Sequence, residues 1–314
     1  MHKNTERMRL HRIAVIWPLL LLFVAAAHAT DCRVSLSSGE PTKWAESAYN
    51  RIFIYSAGPC VKMTFRRVGM EWDESVSNRA DPKDLPVQYT RVLTIASAYP
   101  ETIKKIAMLG VGGGSTLNYF SQYYPDADHI GVELDPEVLK FAKFDFGLED
   151  NPRIRLAESD GRMFLMRSKD VFDIVILDAY RGGYVPSHML TKEFYLLLRK
   201  RLSQTGVAAI NLHYGTELFE SSLRTIQEVF PTVHTFPAGG NVVVIAANSP
   251  IQDDQIRERA TSRQQKLDFR FPLPEMLATR KVYFGTSKAQ ILTDDFSPAN
   301  QLEQMKSINA ERRW

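Results

Sequence analysis

A glycine-rich turn is the first segment whose residue types suggest chemistry. Residues 110–115 read Gly-Val-Gly-Gly-Gly-Ser and stand between an apolar run and a helical pattern at 116–123. Glycines let a ligand approach the backbone closely at a helix N-terminus, where amide groups and the helix dipole favour polar or negative groups. Gly110, Gly112 and Gly114 are therefore candidate ligand-binding residues, although a tight strand-to-helix corner needs the same glycines.

An acidic residue ends each of the next three apolar runs. Glu133 lies 19 residues beyond Gly114, where a carboxylate can accept hydrogen bonds from both hydroxyls of a ribose. Asp160, followed by Gly161, ends the third run, and Asp178 ends the fourth. Because ligands of open α/β sheets sit beyond the carboxyl ends of the strands, these acids and the glycine turn predict one nucleoside pocket. Each acid taken singly is as readily a helix N-cap.

Three other site chemistries fit the pattern less well. The nicotinamide dinucleotide fingerprint has Gly or Ala where this chain has Ser115, and it gives no role to Asp160 or Asp178. Ser115 has no nearby base motif and no Gly-x-Ser-x-Gly elbow, which disfavours hydrolase chemistry. The histidines after residue 29 show no paired ligand spacing, so no metal is expected. An adenosyl-sulfonium ligand fits better.

The hydrophobic pattern predicts the elements that position these residues. Apolar runs alternate with helical patterns, which is typical of a mostly parallel sheet with helices on both faces. The runs lie at 105–109, 129–134, 154–157, 172–177 and 207–212. Two more runs, at 232–236 and 241–247, predict a closing antiparallel hairpin, and residues 49–65 with their turn at 56–59 predict another. The expected fold is α/β, a Rossmann-like domain with a small N-terminal β domain.

The chain divides into four predicted parts. These are a signal peptide at 1–29, a β-rich domain at 30–85, a Rossmann-like nucleoside-binding domain at 86–250 and a C-terminal extension at 251–314. The extension contains a predicted helix at 253–266, whose pattern indicates no function.

The first 29 residues resemble an export signal. A basic stretch ending at Arg12 precedes a 15-residue apolar run, and Ala27-His28-Ala29 forms a small-x-small cleavage site. That run is shorter than the roughly 20 residues that a membrane-spanning helix needs. We therefore expect a cleaved signal, a periplasmic protein and no stable membrane span. The alternative is an uncleaved segment that anchors the protein to the membrane.

Composition sets two further bounds. The chain has 314 residues, 44% of them hydrophobic, so it can bury a sizeable core. Its formal charge of +3 comes entirely from the first 29 residues. The remainder is neutral, which disfavours nucleic acid as a partner, because phosphate binding needs a concentrated excess of Lys and Arg.

Two cysteines, Cys32 and Cys60, follow the predicted signal. In an oxidising compartment they are expected to form a disulfide, the alternative being two buried thiols that pack as small apolar groups.

Several motifs together resemble the spermidine synthase family of polyamine aminopropyltransferases, in particular the branch related to transporter-fused members. The likeness runs from residue 46 to about 247, with one further motif near the C-terminus. It is carried by Ser47-Ala48-Tyr49-Asn50-Arg51-Ile52, Gln88-Tyr89, the glycine turn with Leu109, Val132-Glu133-Leu134-Asp135-Pro136, the segments at 160–165 and 172–178, and Leu292 to Asn300. The family fold is a small β domain on a methyltransferase-like Rossmann domain.

The resemblance implies roles for individual residues. Glu133 would bind the ribose of decarboxylated S-adenosylmethionine, and Asp160 the adenine amino group. Asp178 would be the catalytic base, since only an unprotonated amine can displace the sulfonium-bound carbon. Tyr89 would align that nitrogen, and Asn50 would join the glycines in binding the nucleoside.

Three positions depart from the family pattern. The family glycine turn carries an Asp for the aminopropyl amine, where this chain has Gly113. A second acid three residues after the base is replaced by Arg181, which we expect to pair with Asp178 and lower its pKa. A late tyrosine that bonds the nucleophile is replaced by Phe236. The nucleoside half of the site is therefore preserved better than the amine half.

These features favour a transferase that moves an aminopropyl group from decarboxylated S-adenosylmethionine to a small amine or polyamine. An S-adenosylmethionine-dependent methyltransferase is the first alternative. A non-catalytic exported protein that binds a nucleoside or polyamine is the second. The family resemblance also implies a homodimer.

The export segment gives the first prediction. N-terminal sequencing of protein from the non-cytoplasmic fraction should begin at Thr30, because cleavage follows Ala29. Recovery of protein with an intact Met1 in the membrane fraction would show an anchor instead.

Overall fold

Two sheets carry the residues identified from the sequence. The computed structural model describes Cys32, Leu36 and residues 39–67, 70–148, 152–180, 184–283 and 289–305. The smaller sheet has four strands and the larger has seven. None of the helices in these described ranges is long and apolar enough to cross a membrane.

The smaller sheet is an antiparallel meander. Its strands are β1 (Lys43–Glu46), β2 (Arg51–Ala57), β3 (Cys60–Arg67) and β4 (Met70–Asn78), paired in that order. The predicted hairpin is confirmed as β2 and β3, while β1 and β4 were not predicted. Ile52 and Ile54 of β2 and Val61, Met63 and Phe65 of β3 are buried in one apolar cluster, while Tyr55 and Cys60 are buried in another.

The larger sheet is mostly parallel, as predicted. Its strands are β5 (Lys105–Leu109), β6 (Asp128–Glu133), β7 (Ile154–Glu158), β8 (Phe172–Leu177), β9 (Leu202–His213), β10 (Thr232–Ala238) and β11 (Asn241–Ala247). The spatial order is β10-β11-β9-β8-β5-β6-β7. The predicted closing hairpin is confirmed, and β11 lies between β9 and β10, antiparallel to both.

Nine α-helices lie in the described ranges, with a 3-10 segment after the first at Thr94–Ala98. They are α1 (Gln88–Leu93), α2 (Ser115–Tyr123), α3 (Pro136–Phe144), α4 (Gly161–Arg167), α5 (Lys192–Lys200), α6 (Glu217–Val229), α7 (Asp253–Leu267), α8 (Leu273–Leu277) and α9 (Ala299–Gln304). The helix predicted at 253–266 is thus α7. Acidic N-caps begin α3 and α4, where Asp135 accepts from Glu137 N at 3.0 Å and Asp160 from Met163 N at 2.9 Å.

The larger sheet lies between two apolar layers. On β5, Ile106 and Met108 pack into one layer, whereas Ala107 and Leu109 pack into the other. This alternation buries both faces of the strand, which explains why its sequence reads as a continuous apolar run. The carboxyl ends of β5, β6 and β8 therefore lie together at one edge of a sheet that is packed on both faces.

The C-terminal extension is held against the larger sheet by polar contacts. Arg263 on α7 donates to the carbonyls of Pro100 and Glu101 at 2.6 and 2.9 Å. Asp294 accepts from Arg162 on α4 and from Thr191 at the start of α5, both at 2.7 Å. These contacts bring α9 beside α6 and close to the edge where β9 ends.

Segment 79–87 joins the two sheets, between the end of β4 and the start of α1. The domain boundary placed near residue 85 falls within this segment and stays a prediction.

The disulfide expectation is confirmed. Cys32 and Cys60 are bonded, with their Cα atoms 5.2 Å apart. Cys60 is the first residue of β3 and is fully buried, so the bond joins Cys32 to the smaller sheet.

Reduction of this bond should destabilise the protein measurably. Cross-linking residues 28 apart is worth about 3–4 kcal/mol of unfolding free energy in the chain-entropy model. Urea unfolding with and without reductant measures this difference. The Cys32→Ala/Cys60→Ala double variant is the control, because its stability should not respond to reductant. An equal response in both proteins would contradict the prediction.

Candidate functional site

A cleft of about 1160 Å³ opens at the carboxyl edge of the larger sheet and is covered on one side by β4. Eight of the nine predicted site residues line it: Asn50, Tyr89, Gly110, Gly112, Glu133, Asp160, Gly161 and Asp178. The three acids and the first two glycines of the turn therefore line one cleft, while its use as a nucleoside pocket stays a prediction. Gly114 is the exception.

The Glu133 carboxylate organises the glycine turn. One oxygen accepts from the backbone N–H groups of Val111 and Gly112 at 3.0 and 3.4 Å. The other accepts from Leu134 and Asp135 at 2.8 and 3.1 Å. Burial raises the pKa of Glu133, and these four donors oppose the rise by stabilising the ionised form. These four bonds occupy the lone-pair sites of both oxygens, so a ligand hydroxyl would have to share an oxygen with a backbone N–H or replace the long bond from Gly112.

The amide groups of the turn are not free for a ligand, contrary to the sequence expectation. Besides the two bonds to Glu133, Gly110 N donates to Val132 O, Gly113 N to Ser75 Oγ and Gly114 N to Val111 O, all at 2.8 Å. Because every N–H from residue 110 to 114 has a protein partner, the turn contributes shape and holds Glu133 in place.

Close packing explains why the turn consists of glycine. A Cβ atom on Gly110 would lie 2.4 Å from the Asp178 carbonyl oxygen, and one on Gly112 would lie 2.5 Å from Ser75 Oγ. Gly114 has φ +75° and stands before α2, where a Cβ would meet Leu148 at 2.5 Å. The tight-corner explanation thus accounts for Gly114, which supports the turn from outside the cleft.

The packing around Gly113 accounts for the absence of the family's aspartate at this position. A Cβ atom there would lie 2.3 Å from the ring of Phe146. An aspartate at this position would need Phe146 to move, so the turn has no room for the acid of the family pattern.

Asp178 stands at the end of β8 within a chain of side-chain hydrogen bonds. Its Oδ1 accepts from Asn211 Nδ2 at 2.9 Å. The side-chain oxygen of Asn211, Oδ1, in turn accepts from Asn241 Nδ2 at 2.7 Å. The Tyr89 hydroxyl also donates to Asp178. Two neighbouring strands and α1 therefore fix the orientation of this carboxyl.

The described surroundings of Asp178 raise its pKa. Burial raises it to about 6, and the bonds from Asn211 and Tyr89 only moderate that rise. The expected pairing with Arg181, which would lower this pKa, stays a prediction. Arg181 itself lies outside the described residues.

Asp160 performs the helix-capping role that the sequence left open. Its Oδ1 caps α4 through Met163 N, and its Oδ2 lies 2.8 Å from His188 Nε2. The residue also lines the cleft, and each of its oxygens has lone-pair capacity beyond these two bonds.

Asn50 links the two sheets at the rim of the cleft. Its amide donates to Asp135 Oδ2 at 3.0 Å, and Ser47 Oγ donates to the same oxygen at 2.6 Å. Asp135 caps α3 with its other oxygen, so one buried carboxylate couples the smaller sheet to the helix after Glu133.

Sequence reasoning missed several lining residues. They are Trp72, Asp73, Glu74, Ser75, Tyr180, Asn211, His213 and Asn241. The first four lie on β4, whose mixed pattern gave no strand signal. Asn211 and Asn241 were detectable as polar residues inside apolar strands, which commonly mark a site.

Phe236 lies away from the cleft. It is fully buried in the apolar layer beneath β10 and is absent from the cleft lining. Tyr180 supplies the aromatic hydroxyl near Asp178 instead, held by bonds to Asn211 O at 3.1 Å and from His213 N at 3.0 Å.

The described residues include no group of three or more His, Cys, Asp or Glu side chains placed to hold a metal ion. The described residues do provide two carboxyl groups in the cleft. Glu133 lies beside the glycine turn, and Asp178, with a pKa of about 6, lies at the end of β8. This arrangement can hold a nucleoside and accept a proton near neutral pH.

Comparison with known proteins agrees with these features. The family model for the spermine/spermidine synthase domain matches residues 88–247, just over half of the chain. A polyamine aminopropyltransferase of Vibrio vulnificus is 27% identical over 235 residues, covering 71% of this chain and 78% of the relative. One from Chromobacterium violaceum is 28% identical over 211 residues, covering 65% and 81%.

The fold has a solved counterpart. A probable spermidine synthase from Corynebacterium glutamicum superposes with a TM-score of 0.63 at 20% identity, covering 82% of this chain and 97% of that one. At this identity the likeness concerns the fold, a methyltransferase-like sheet with a small antiparallel sheet before it. Together with the match over residues 88–247, it places the chain in the spermine/spermidine synthase family.

Proposed function

We propose that this protein transfers an aminopropyl group from decarboxylated S-adenosylmethionine to a small amine. The observation that carries the proposal is Asp178, a carboxyl with a pKa of about 6 fixed between Asn211 and Tyr89 in the cleft that Glu133 and Asp160 also line. Such a group is unprotonated at neutral pH and still basic enough to take a proton. Relatives named polyamine aminopropyltransferase support this reading.

The donor would bind across the glycine turn. Glu133 would accept from the ribose hydroxyls by sharing its oxygens with the backbone or by replacing the 3.4 Å bond from Gly112 N, and Asp160 would accept from the adenine amino group. Asn50 would border the same nucleoside from the smaller sheet. No metal has a role in this scheme.

The reaction would be a direct displacement at carbon. The acceptor nitrogen attacks the carbon bonded to the sulfonium, so a C–N bond forms as the C–S bond breaks and methylthioadenosine leaves with the electron pair. The nitrogen gives up one proton to Asp178, while the Tyr89 hydroxyl holds that carboxylate in position. An acceptor is cationic at neutral pH, so carboxylates around it serve first to attract it and then to take its proton.

A methyltransferase is the second candidate, favoured by one observation. Phe146 fills the space where the turn would carry an acid for the aminopropyl amine, as the contact with Gly113 shows. Titration with decarboxylated S-adenosylmethionine and with S-adenosylmethionine separates the two functions, because the preferred donor identifies the group transferred.

We also propose that the protein works outside the cytoplasm. The disulfide between Cys32 and Cys60 supports export, since such bonds persist in oxidising compartments. The signal-like segment at 1–29 lies outside the described residues.

Loss of the Glu133 carboxylate should weaken nucleoside binding. Two charge-assisted hydrogen bonds to a ribose are together worth about 2–3 kcal/mol, so Glu133→Ala should raise the Kd for methylthioadenosine roughly 30- to 150-fold. Calorimetric titration measures the change.

Glu158 is the matched control for Glu133. It stands opposite Glu133 at the end of β7 but is exposed and outside the cleft. Glu158→Ala should bind methylthioadenosine as the wild type does. Equal affinities in wild type and Glu133→Ala would remove the nucleoside from the proposed site.

Asp178→Asn should separate catalysis from binding. The amide keeps the shape of the side chain but cannot take a proton, so turnover should fall by about 10² to 10⁴ with little change in nucleoside affinity. In the wild type, kcat/KM should decline as the pH falls through about 6, because the base becomes protonated below its pKa. Release of methylthioadenosine from decarboxylated donor and a diamine measures both effects.

Asn211→Ala provides the companion measurement. Asn211 lowers the pKa of Asp178 by donating to it, so its removal should move the acidic limb of the pH profile to higher pH. An acidic limb that stays in place in this variant would show that another group is the base.

A further inference from the structure

The Asp160 carboxylate is held by a residue that the proposed function does not use. Its Oδ1 caps α4, whereas its Oδ2 lies 2.8 Å from Nε2 of His188. Because a carboxylate only accepts, Nε2 of His188 carries the hydrogen of this bond. His188 lies in a 3-10 segment, Ser187–Met189, between β8 and α5, and its side chain is 46% exposed. The bond therefore joins a short surface segment to the acid at the start of α4.

The segment that carries His188 also forms part of the cleft wall. Pro186 and Met189 line the cleft, as do Asp160 and Gly161. Met189 is buried, and a Cβ atom on Gly161 would lie 2.8 Å from its methyl carbon. The segment thus packs directly on the first turn of α4, so its position decides the shape of the cleft beside Asp160.

Arg162 on α4 fixes this segment from the side away from Asp160. Its Nη1 donates to the carbonyl oxygen of His188 at 2.9 Å and to Asp294 Oδ1 at 2.7 Å, and its Nη2 donates to Asp294 Oδ2 at 2.5 Å. A guanidinium bonded through both nitrogens to one carboxylate keeps a single orientation. Pairing with Arg162 also lowers the pKa of Asp294 to about 2, so the pair stays ionised at neutral pH.

The C-terminal extension holds Asp294 at the start of α5. Leu292 is fully buried, and its carbonyl oxygen accepts from Lys192 N at 2.8 Å. Thr191 Oγ1 donates to Asp294 Oδ1 at 2.7 Å, and Asp294 N donates to Glu193 Oε2 at 2.9 Å. These contacts fix the carboxylate of Asp294 independently of Arg162, so the extension provides an anchor for the segment at 187–189.

We propose that His188 is a positioning residue that orients the Asp160 carboxylate toward the amino group of the nucleobase. Asp294 of the C-terminal extension holds His188 in place through Arg162. This assignment rests on the proposed function and specifies how the same site selects an adenine base. With one oxygen fixed by the start of α4 and the other by His188, the carboxylate cannot rotate, and its remaining lone pairs keep one direction.

Direct binding of two nucleosides tests the role of His188 without relying on turnover. The ligands are methylthioadenosine and its analogue with purine in place of adenine, which lacks only the amino group. The wild type should bind methylthioadenosine about tenfold more tightly, because the amino group donates to a charged acceptor. In calorimetric titrations, His188→Ala should lose most of that preference and leave the affinity for the purine analogue unchanged. His188→Gln keeps an N–H donor and should restore the preference.

Asp294→Asn tests the contribution of the extension. Its neutral amide cannot accept from both guanidinium nitrogens of Arg162, so the preference for methylthioadenosine should fall in this variant as well. The matched control is Asp295→Asn, which removes the exposed carboxylate of the next residue and should keep the wild-type preference. Asp294→Asn with the wild-type preference would refute the role of the extension.

Three results would overturn the role of His188. The first is a wild type that binds both nucleosides equally, and the second is a His188→Ala variant that keeps the preference. The third is an equal loss of affinity for both nucleosides in His188→Ala, because a role confined to Asp160 spares the analogue without an amino group.

Turnover then distinguishes this inference from the proposed function. A preference that depends on His188, with no methylthioadenosine released from decarboxylated donor and a diamine, would refute the transferase and keep the positioning role. Aminopropyl transfer by a protein whose preference is insensitive to His188→Ala would refute the positioning role and keep the transferase.

Discussion

The site depends on the bond between the Glu133 carboxylate and the backbone around it. Four N–H groups converge on its two oxygens, two from the glycine turn and two from the residues after β6. Taking a carboxylate out of water is costly, and these preoriented donors offset that cost. The turn is thereby fixed against Asp178 on one side and Ser75 on the other, at distances that only glycine permits at 110 and 112.

The smaller sheet is part of the same construction. Ser47 and Asn50 donate to Asp135, which also caps α3, and Ser75 on β4 accepts from Gly113 N. A wall of the cleft is thus attached to the helix and the turn that form its floor. Displacement of the smaller sheet would therefore widen the cleft beside Glu133 and also break the bond from Gly113 N to Ser75.

Two acidic positions of the family pattern are not acidic in this chain. Phe146 occupies the space that an acid at Gly113 would need, and position 181 is arginine. The carboxyl groups that line the cleft come instead from the strand ends, as at Glu133 and Asp178, and from β4, as at Glu74. Negative charge in the cleft is therefore supplied by both sheets.

The sequence by itself determined the strands of the larger sheet and identified eight of the residues that line the cleft. Apolar runs buried on both faces identify strands such as β5 and β8, and a polar residue at the end of such a run lies at the ligand edge for topological reasons. The closing hairpin and the cysteine pair were also readable, because turn residues and an even cysteine count are local features.

Only the tertiary structure decided which residues face those acids. β4 has no clear period, so Glu74 and Ser75 gave no signal, and the insertion of β11 between β9 and β10 is a choice of pairing that no local pattern encodes. The pKa of Asp178 depends on burial and on Asn211 and Tyr89, which are distant from it in the chain. The position of Glu303 likewise depends on the packing of α9 against α6, and it lies 123 residues after Tyr180 in the chain.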